Sequence, residues 1–315
     1  HDALPIWRVV TEGKTLAEME DPVALIGENG TGKSFFAQCI HNGSPRAKKP
    51  YIVINAGTIA QQDAARVLFG SDDGAKPRMG LFELAGGGTI ALQGLGDASE
   101  AFFSCLRQVL LQHSYFAVGG VTTIPFSARL LALVTPEERR RIPRDLWDQL
   151  SVFSLNLPLL KDRQEDGSTL FRFFLLRESI LMPPRTQKEL EEILSFYSWP
   201  ANLISLSAVS KRYILLYQQA MNPSPSAKQQ ILIRAIGEDE LLSDIYRQYP
   251  ALTDAANSPP EEVLAGVAAM KRILKYNNSV IADKLGLGRT TLWRIQKKAG
   301  VSDAGEDTDS PEPIE

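Results

Sequence analysis

The chain has 315 residues, 44% of them hydrophobic and 23% charged, with a formal net charge of −3. That length and balance fit a globular chain of two or three domains, and the charge is too unevenly spread for the net value to speak about nucleic acid. No apolar stretch approaches the ~18–20 residues of a membrane span and the opening residues do not read as a signal peptide, so no membrane association and a cytoplasmic location are expected.

The first strong signal comes early. Val23-Ala24-Leu25-Ile26 is a short apolar run suited to a buried strand, and Phe35 to Ile40 reads as the helix that follows. Between them, Gly27-Glu28-Asn29-Gly30-Thr31-Gly32-Lys33-Ser34 fits the G-x-x-x-x-G-K-[ST] phosphate-binding pattern. Its glycines let backbone N–H groups wrap phosphate oxygens, with the helix N-terminus facing them. Lys33 would reach the β/γ-phosphates and Ser34 would offer its hydroxyl to Mg²⁺, so the expected ligand is ATP or ADP with Mg²⁺.

Further strand candidates are Tyr51-Ile52-Val53-Ile54, Thr89 to Leu92, Leu130 to Val134 and Phe153 to Leu157, with Phe102 to Leu111 spaced as a helix. Strands alternating with helices predict an α/β unit whose sheet is mainly parallel and covered on both faces. In a P-loop ATPase one of these strands should end in Asp-Glu, where the Asp holds Mg²⁺ and an acidic neighbour polarises the attacking water. The strand from Gly88 to Leu92 ends instead in Gln93-Gly94. Gln93 adds no negative charge beside a metal and Gly94 has no side chain, so no catalytic residue is assigned and the site is expected to bind a nucleotide better than it cleaves one. Cys39 and Cys105 are the only cysteines and lack metal-ligand spacing, which reads as two reduced core or helix cysteines.

From Leu170 to about Gln219 the pattern is purely helical, over Leu170 to Ile180, Gln187 to Tyr197 and Leu203 to Tyr217. A break at Met221 to Ser226 precedes another helical stretch from about Ala227 to Tyr249, and Asn257-Ser258-Pro259-Pro260 marks a second break. The segment Ser279 to Lys298 then fits a helix-turn-helix. Ile281 and Leu285 line its first helix, Ala282 allows close approach, Gly286 makes the turn, and Leu287, Leu292 and Ile295 close the core. This places Arg289, Thr290, Thr291, Arg294 and Lys297 on the outer face of a recognition helix suited to the DNA major groove. Trp293 is expected to pack against the helix from Leu264 to Leu274. Between Lys271 and Lys298 there are eight basic residues against one acidic, a local balance of +7 that suits phosphate contact. Residues from Ser302 are rich in Asp, Glu, Pro and Ser and read as disordered.

These signals, in this order, resemble one family, the bacterial enhancer-binding, sigma-54-dependent transcriptional activators, with a central AAA+ domain and a C-terminal Fis-type helix-turn-helix. The resemblance runs from about Pro22 to Gly300. It is carried by the phosphate loop, Ile54-Asn55-Ala56, Leu68-Phe69-Gly70, Gly80-Leu81-Phe82-Glu83-Leu84-Ala85 with Gly87-Gly88-Thr89, and Asp145-Leu146 with Leu150-Ser151-Val152-Phe153. It continues in Leu157-Pro158-Leu159-Leu160, Trp199-Pro200-Ala201-Asn202 and Arg289 to Arg294. It implies a P-loop AAA+ parallel sheet with a helical lid subdomain and a small all-α DNA-binding domain. The implied boundaries are 1–165 for the α/β nucleotide-binding subdomain, 166–220 for the lid, 221–258 for a helical linker, 259–301 for the helix-turn-helix and 302–315 for the acidic tail. The chain begins with His1 and not Met, which reads as a fragment whose upstream domain has been removed.

Set against the family pattern, the departures are as telling. The Asp-Glu pair falls on Gln93-Gly94, the first trans-acting arginine on Pro143 with Arg144 beside it, and the second on Gln149. The lid arginine falls on Ile204 and the first-sensor residue on Thr135, while Asn55 is kept. The GAFTGA loop that grips the sigma factor is replaced by Ser71 to Met79, with Gly74-Ala75 as its stump. The resulting expectation is a regulator that binds double-stranded DNA, at an inverted repeat near a promoter, as a homodimer or higher homo-oligomer, with RNA polymerase as a possible partner. It would bind ATP without efficient turnover and would not remodel sigma-54 holoenzyme. Two alternatives stand beside it. One is an active ATPase using Glu83 or Asp97 as substitute acids and Arg144 as a shifted finger; the other is an inactive subunit that modulates a competent relative.

Overall fold

The computed structural model describes residues 5–72, 77–221 and 223–298, so Gly74-Ala75 and the acidic segment from Ser302 lie outside the described residues. The chain forms two compact units. The first comprises residues up to Asp166 together with Trp199–Ser205, and the second comprises Gly167–Ser198 and the chain from Leu206 onward.

The first unit opens with α1 (Pro5–Ala17), β1 (Val23–Ile26), α2 (Lys33–Asn42), β2 (Tyr51–Asn55) and α3 (Ala64–Phe69). It continues with a small hairpin, β3 (Gly70–Ser71) and β4 (Arg78–Met79), then α4 (Leu81–Ala85), β5 (Thr89–Gln93) and α5 (Glu100–Gln112). A second hairpin, β6 (Ser114–Phe116) and β7 (Thr123–Pro125), precedes β8 (Arg129–Val134), α6 (Pro136–Arg139), α7 (Arg144–Leu150) and β9 (Phe153–Asn156). All five expected strands are present, and they form one parallel sheet in the order β2-β5-β8-β1-β9.

Both faces of the sheet are buried, as continuous apolar runs such as Leu130-Leu131-Ala132-Leu133-Val134 require. Alternate residues enter different cores. Leu130, Ala132 and Val134 pack with Phe102 and Leu106 of α5 and Leu146 of α7, whereas Leu131 and Leu133 pack with Ala37 and Ile40 of α2 and Val9 of α1. The edge from which the strands start is tied by a buried guanidinium. Arg129 is 3% exposed and donates to the carbonyls of Leu16 at 2.7 Å, Ala17 at 3.3 Å and Asp21 at 3.1 Å. Cys39 lies exposed on α2 and Cys105 buried on α5.

The second unit is helical, with α8 (Gln164–Arg177) and α10 (Leu203–Gln219) starting a few residues inside the first, and with α9 (Pro184–Phe196), α11 (Pro225–Ile236), α12 (Glu238–Gln248), α13 (Pro260–Ala269), α14 (Asn278–Lys284) and α15 (Arg289–Lys298). A π turn over Met270–Leu274 extends α13. Two boundaries differ from the sequence reading. The helix expected to reach Ile180 ends at Arg177, because Ser179 turns left-handed (φ 58) and Ile180 N–H closes back on the Leu175 carbonyl at 3.0 Å. The stretch from Ala227 to Tyr249 is two helices, broken at Gly237 (φ 117). These helices are well packed rather than strung out: Leu232, Ile236, Leu241 and Ile245 are fully buried. Tyr246 donates to the Lys284 carbonyl at 3.1 Å, and Tyr276 donates to Glu238. Among the described residues no helix is long and apolar enough to cross a membrane.

Candidate functional site

The phosphate loop leaves β1 at Ile26 and enters α2 at Lys33, at the edge where all five parallel strands end. Gly27 N–H donates to the Val134 carbonyl at 3.1 Å, pinning the loop to the neighbouring strand. Lys33 Nζ donates to the carbonyls of Gly27 at 2.7 Å and Glu28 at 3.1 Å, and Thr31 Oγ1 donates to the Glu28 carbonyl at 2.8 Å. Burial pulls the Lys33 ammonium below its ordinary pKa, while the nearby carboxylates of Glu138 and Glu28 act in the opposite sense.

Two side chains that sequence reading did not assign hold the loop from behind. Asn202, 3% exposed, donates from Nδ2 to the Asn29 carbonyl at 2.9 Å and accepts the Leu160 N–H at 2.8 Å. Arg163, 6% exposed, donates to the Thr31 carbonyl at 2.9 Å and the Pro158 carbonyl at 3.0 Å. Leu203 N–H adds a bond to the Gly30 carbonyl at 3.0 Å. The sequence signal existed in Trp199-Pro200-Ala201-Asn202, but only as a family motif; nothing local said that Asn202 reaches back to residue 29.

Across the loop mouth, Gln93 Nε2 donates to Ser34 Oγ at 3.0 Å. The next position is remodelled as well. Gly94 takes a left-handed conformation (φ 63), and a Cβ there would lie 2.4 Å from Asn55 Oδ1. An acidic side chain at 94 would therefore meet backbone strain and require the Asn55 amide to shift. The first-sensor residue Thr135 is occupied in a capping box: its hydroxyl accepts Glu138 N–H at 3.1 Å, and the Glu138 carboxylate accepts Thr135 N–H at 2.7 Å. A cavity of 450 Å³ opens at this edge, lined by Ile26, Pro136, Arg139, Arg140 and Asn156. Loop and cavity together suit a phosphate-bearing ligand. The side chains near Ser34 do not suit Mg²⁺, which is normally held through one or two carboxylates beside the substrate phosphates.

The substitute groups stand elsewhere. Asp97 pairs with Arg141 at 2.6 Å, and Glu83 lies on α4, where its charge, after burial, helps raise the Tyr115 phenol to about 12. Arg144 is 95% exposed and 4.0 Å from Asp148 on its own helix. Gln149, at the second finger position, turns its Oε1 inward, where it is buried without a hydrogen-bond partner. Where the family carries its gripping loop, β3 and β4 pair antiparallel through Gly70 with Met79 and Ser71 with Arg78, leaving only residues 72–77 between them.

In the second unit, α14 and α15 form the expected helix-turn-helix. Asn277 caps α14 by accepting Val280 N–H at 2.9 Å. Gly286 takes φ 64 with no atom within 4 Å of where a Cβ would lie, so the turn needs glycine for its backbone and not for space. Ile281, Ala282 and Leu292 are buried, while Leu285, Leu287 and Ile295 are half-buried. Arg289, Thr290, Arg294 and Lys297 are exposed and Thr291 half-buried. Trp293 corrects the sequence reading. It is 57% exposed, with Lys297 Nζ 4.8 Å from its ring centroid, rather than packed against α13. Leu292 and Gln296 take the inward face one helical turn apart, which rotates Trp293 and Lys297 outward beside Arg289. Arg289 also donates to Ser279 Oγ at 2.6 Å.

Comparison with known proteins gives this arrangement its context. The family described as the Sigma-54 interaction domain matches residues 3–156. The chain belongs to the bacterial enhancer-binding protein family. It is 30% identical to the DNA-binding transcriptional activator HyfR of Escherichia coli (strain K12), over 91% of this chain and 45% of HyfR. It is 29% identical to the DNA-binding transcriptional regulator NtrC of Rhizobium meliloti (strain 1021), over 94% of this chain and 68% of NtrC. The chain thus spans less than half the length of HyfR and about two thirds of NtrC. Among solved structures, NtrX from Brucella abortus in complex with ADP superposes with a TM-score of 0.67, at 22% identity, covering 96% of this chain and 69% of NtrX. The first unit is therefore an AAA+ sheet, and the chain is of the sigma-54-dependent transcriptional regulator family.

The brace behind the loop generates a prediction. Asn202→Ala strands the buried Leu160 N–H and frees the Asn29 carbonyl, and should cost about 1–3 kcal/mol. Urea denaturation followed by tryptophan fluorescence measures it; a wild-type midpoint would show that the brace carries no stability.

Proposed function

We propose that this protein is a cytoplasmic DNA-binding transcriptional regulator that binds ATP or ADP through residues 27–34, with little or no hydrolysis, and that does not open promoters held by sigma-54 holoenzyme. The observation that carries this reading is the Gln93 amide on the Ser34 hydroxyl, with Gly94 closed against Asn55, where an ATPase needs its acid pair. The solved NtrX structures include complexes with ADP and with ATP, and HyfR and NtrC are named as DNA-binding; both support the reading. On this proposal residues 1–165 form the nucleotide subdomain, 166–220 the lid, 221–258 the connection and 259–301 the DNA reader. The reader meets double-stranded DNA as a homodimer or higher homo-oligomer, at an inverted repeat where RNA polymerase is also a partner.

Nucleotide turnover tests the core of it. ATP and ADP should bind the purified protein while phosphate release stays at background, and Lys33→Ala should remove binding by deleting the main positive charge of the loop. Robust hydrolysis abolished by Lys33→Ala would overturn the reading.

The promoter machinery supplies a second test. With only residues 72–77 between β3 and β4, the protein should fail to drive ATP-dependent open-complex formation on a sigma-54 promoter in vitro. Opening such a promoter contradicts the proposal.

DNA recognition supplies a third. Half-sites should lie about 34–36 Å apart. Arg294→Ala should cost about 1–3 kcal/mol and relax specificity at one base position per half-site, by loss of a bidentate guanine contact. Lys297→Ala should weaken all sequences alike and flatten the salt dependence. Wild-type affinity and specificity in both variants, measured across operator variants and salt, would show that α15 is not the reader.

A further inference from the structure

We infer that the nucleotide site works without a divalent cation: a nucleoside di- or triphosphate is held as the bare anion, and Gln93 is the residue that keeps metal out. The inference rests on the proposed nucleotide binding and deepens it. Mg²⁺ demands near-octahedral oxygen ligands, gives up water reluctantly, and is normally held through one or two carboxylates as well as the substrate phosphates. At this edge those requirements fail one after another.

Ser34 is the only conventional ligand kept, and one of its two lone pairs is taken by the Gln93 N–H at 3.0 Å. The –NH₂ end of the amide, its positive end, thus faces the one hydroxyl that would ligate a cation. Gly94 offers no oxygen in its side chain, and its left-handed backbone (φ 63) strains any residue that would. Glu138 spends one carboxylate oxygen on Thr135 N–H at 2.7 Å in the capping box, Asp97 is paired with Arg141 at 2.6 Å, and Glu28 is exposed on the loop with no bond to Ser34. Among the described residues no group of three or more His, Cys, Asp or Glu could hold a metal ion.

The positive charge that a cation would bring is available from the chain. Lys33 stands in the loop, and Arg139 and Arg140 line the cavity beyond Ile26. A phosphate anion facing backbone N–H groups and an ammonium needs no metal to be bound; it needs one chiefly to be cleaved. The same replacement at position 93 therefore accounts for lost turnover and predicts a binding equilibrium indifferent to Mg²⁺.

Isothermal titration of the whole chain with ADP and with ATP, once in magnesium chloride and once in excess EDTA, tests this directly. The expected dissociation constants agree within about threefold between the two conditions, under 1 kcal/mol. A loss of about tenfold or more in EDTA overturns the metal-free site while leaving nucleotide binding standing. Absence of binding in both conditions overturns the parent reading and this inference together. Gln93→Glu, which keeps the side chain's shape, should create metal dependence. Its carboxylate repels the phosphates until a cation bridges them, so affinity should fall about tenfold in EDTA and recover in Mg²⁺. Metal-indifferent binding by folded Gln93→Glu would show that position 93 does not control metal entry. The two wild-type titrations decide the matter even where that variant does not fold.

Discussion

Five parallel strands in common register end along one edge of the sheet, and the nucleotide chemistry of the first unit is arranged by that constraint. Ile26 lies opposite Val134 and Asn156, and Asn55 lies opposite Gln93. Each strand therefore delivers its next residue to the same line: the phosphate loop after Ile26, Thr135 after Val134, Gly94 after Gln93. Antiparallel pairing would send half of these to the far edge. The apolar runs of the strands are buried on both faces, so the register cannot slip without moving side chains between two filled cores.

The loop is held more firmly than phosphate binding alone would require. Its carbonyls at Asn29, Gly30 and Thr31 accept from Asn202, Leu203 and Arg163, and two of those donors are buried side chains. Burial penalises the Arg163 cation, and that cost is offset by its several carbonyl partners and by the nearby Asp166 and Asp162 carboxylates. Removing either donor would leave polar groups in a dry environment. The loop's shape is thus fixed by residues behind it, independently of the Gln93 and Gly94 side of the mouth.

The groups that depart from the family pattern each have a structural partner or place of their own. Gln93 bonds to Ser34, Gly94 has turned left-handed beneath Asn55, Thr135 spends its hydroxyl on a helix cap, and Gln149 points inward. The C-terminal helix-turn-helix shows a different economy. There the inward face of α15 uses Leu292 and Gln296, which leaves Arg289, Trp293 and Lys297 along one outward strip.

Much of this was determined by the sequence alone. Short-range patterns carried the five strands, the phosphate loop, the missing acid pair and the helix-turn-helix, because each depends on residues within one element or one turn. Family motifs carried the order of the units. The sequence did not contain, in any local form, the reach of Asn202 to Asn29, of Arg163 to Thr31, or of Gln93 to Ser34, since these partners are far apart along the chain. Nor did it place Trp293, whose apolar character argued for burial until the rotation of α15 was set by Leu292. The two short hairpins went unseen because strands of two or three residues leave no periodicity to read. Local chemistry decided which elements form and which groups are missing. Tertiary structure decided what filled the gaps, because only packing at the common strand edge brings Gln93, Asn55 and Ser34 within reach of one another.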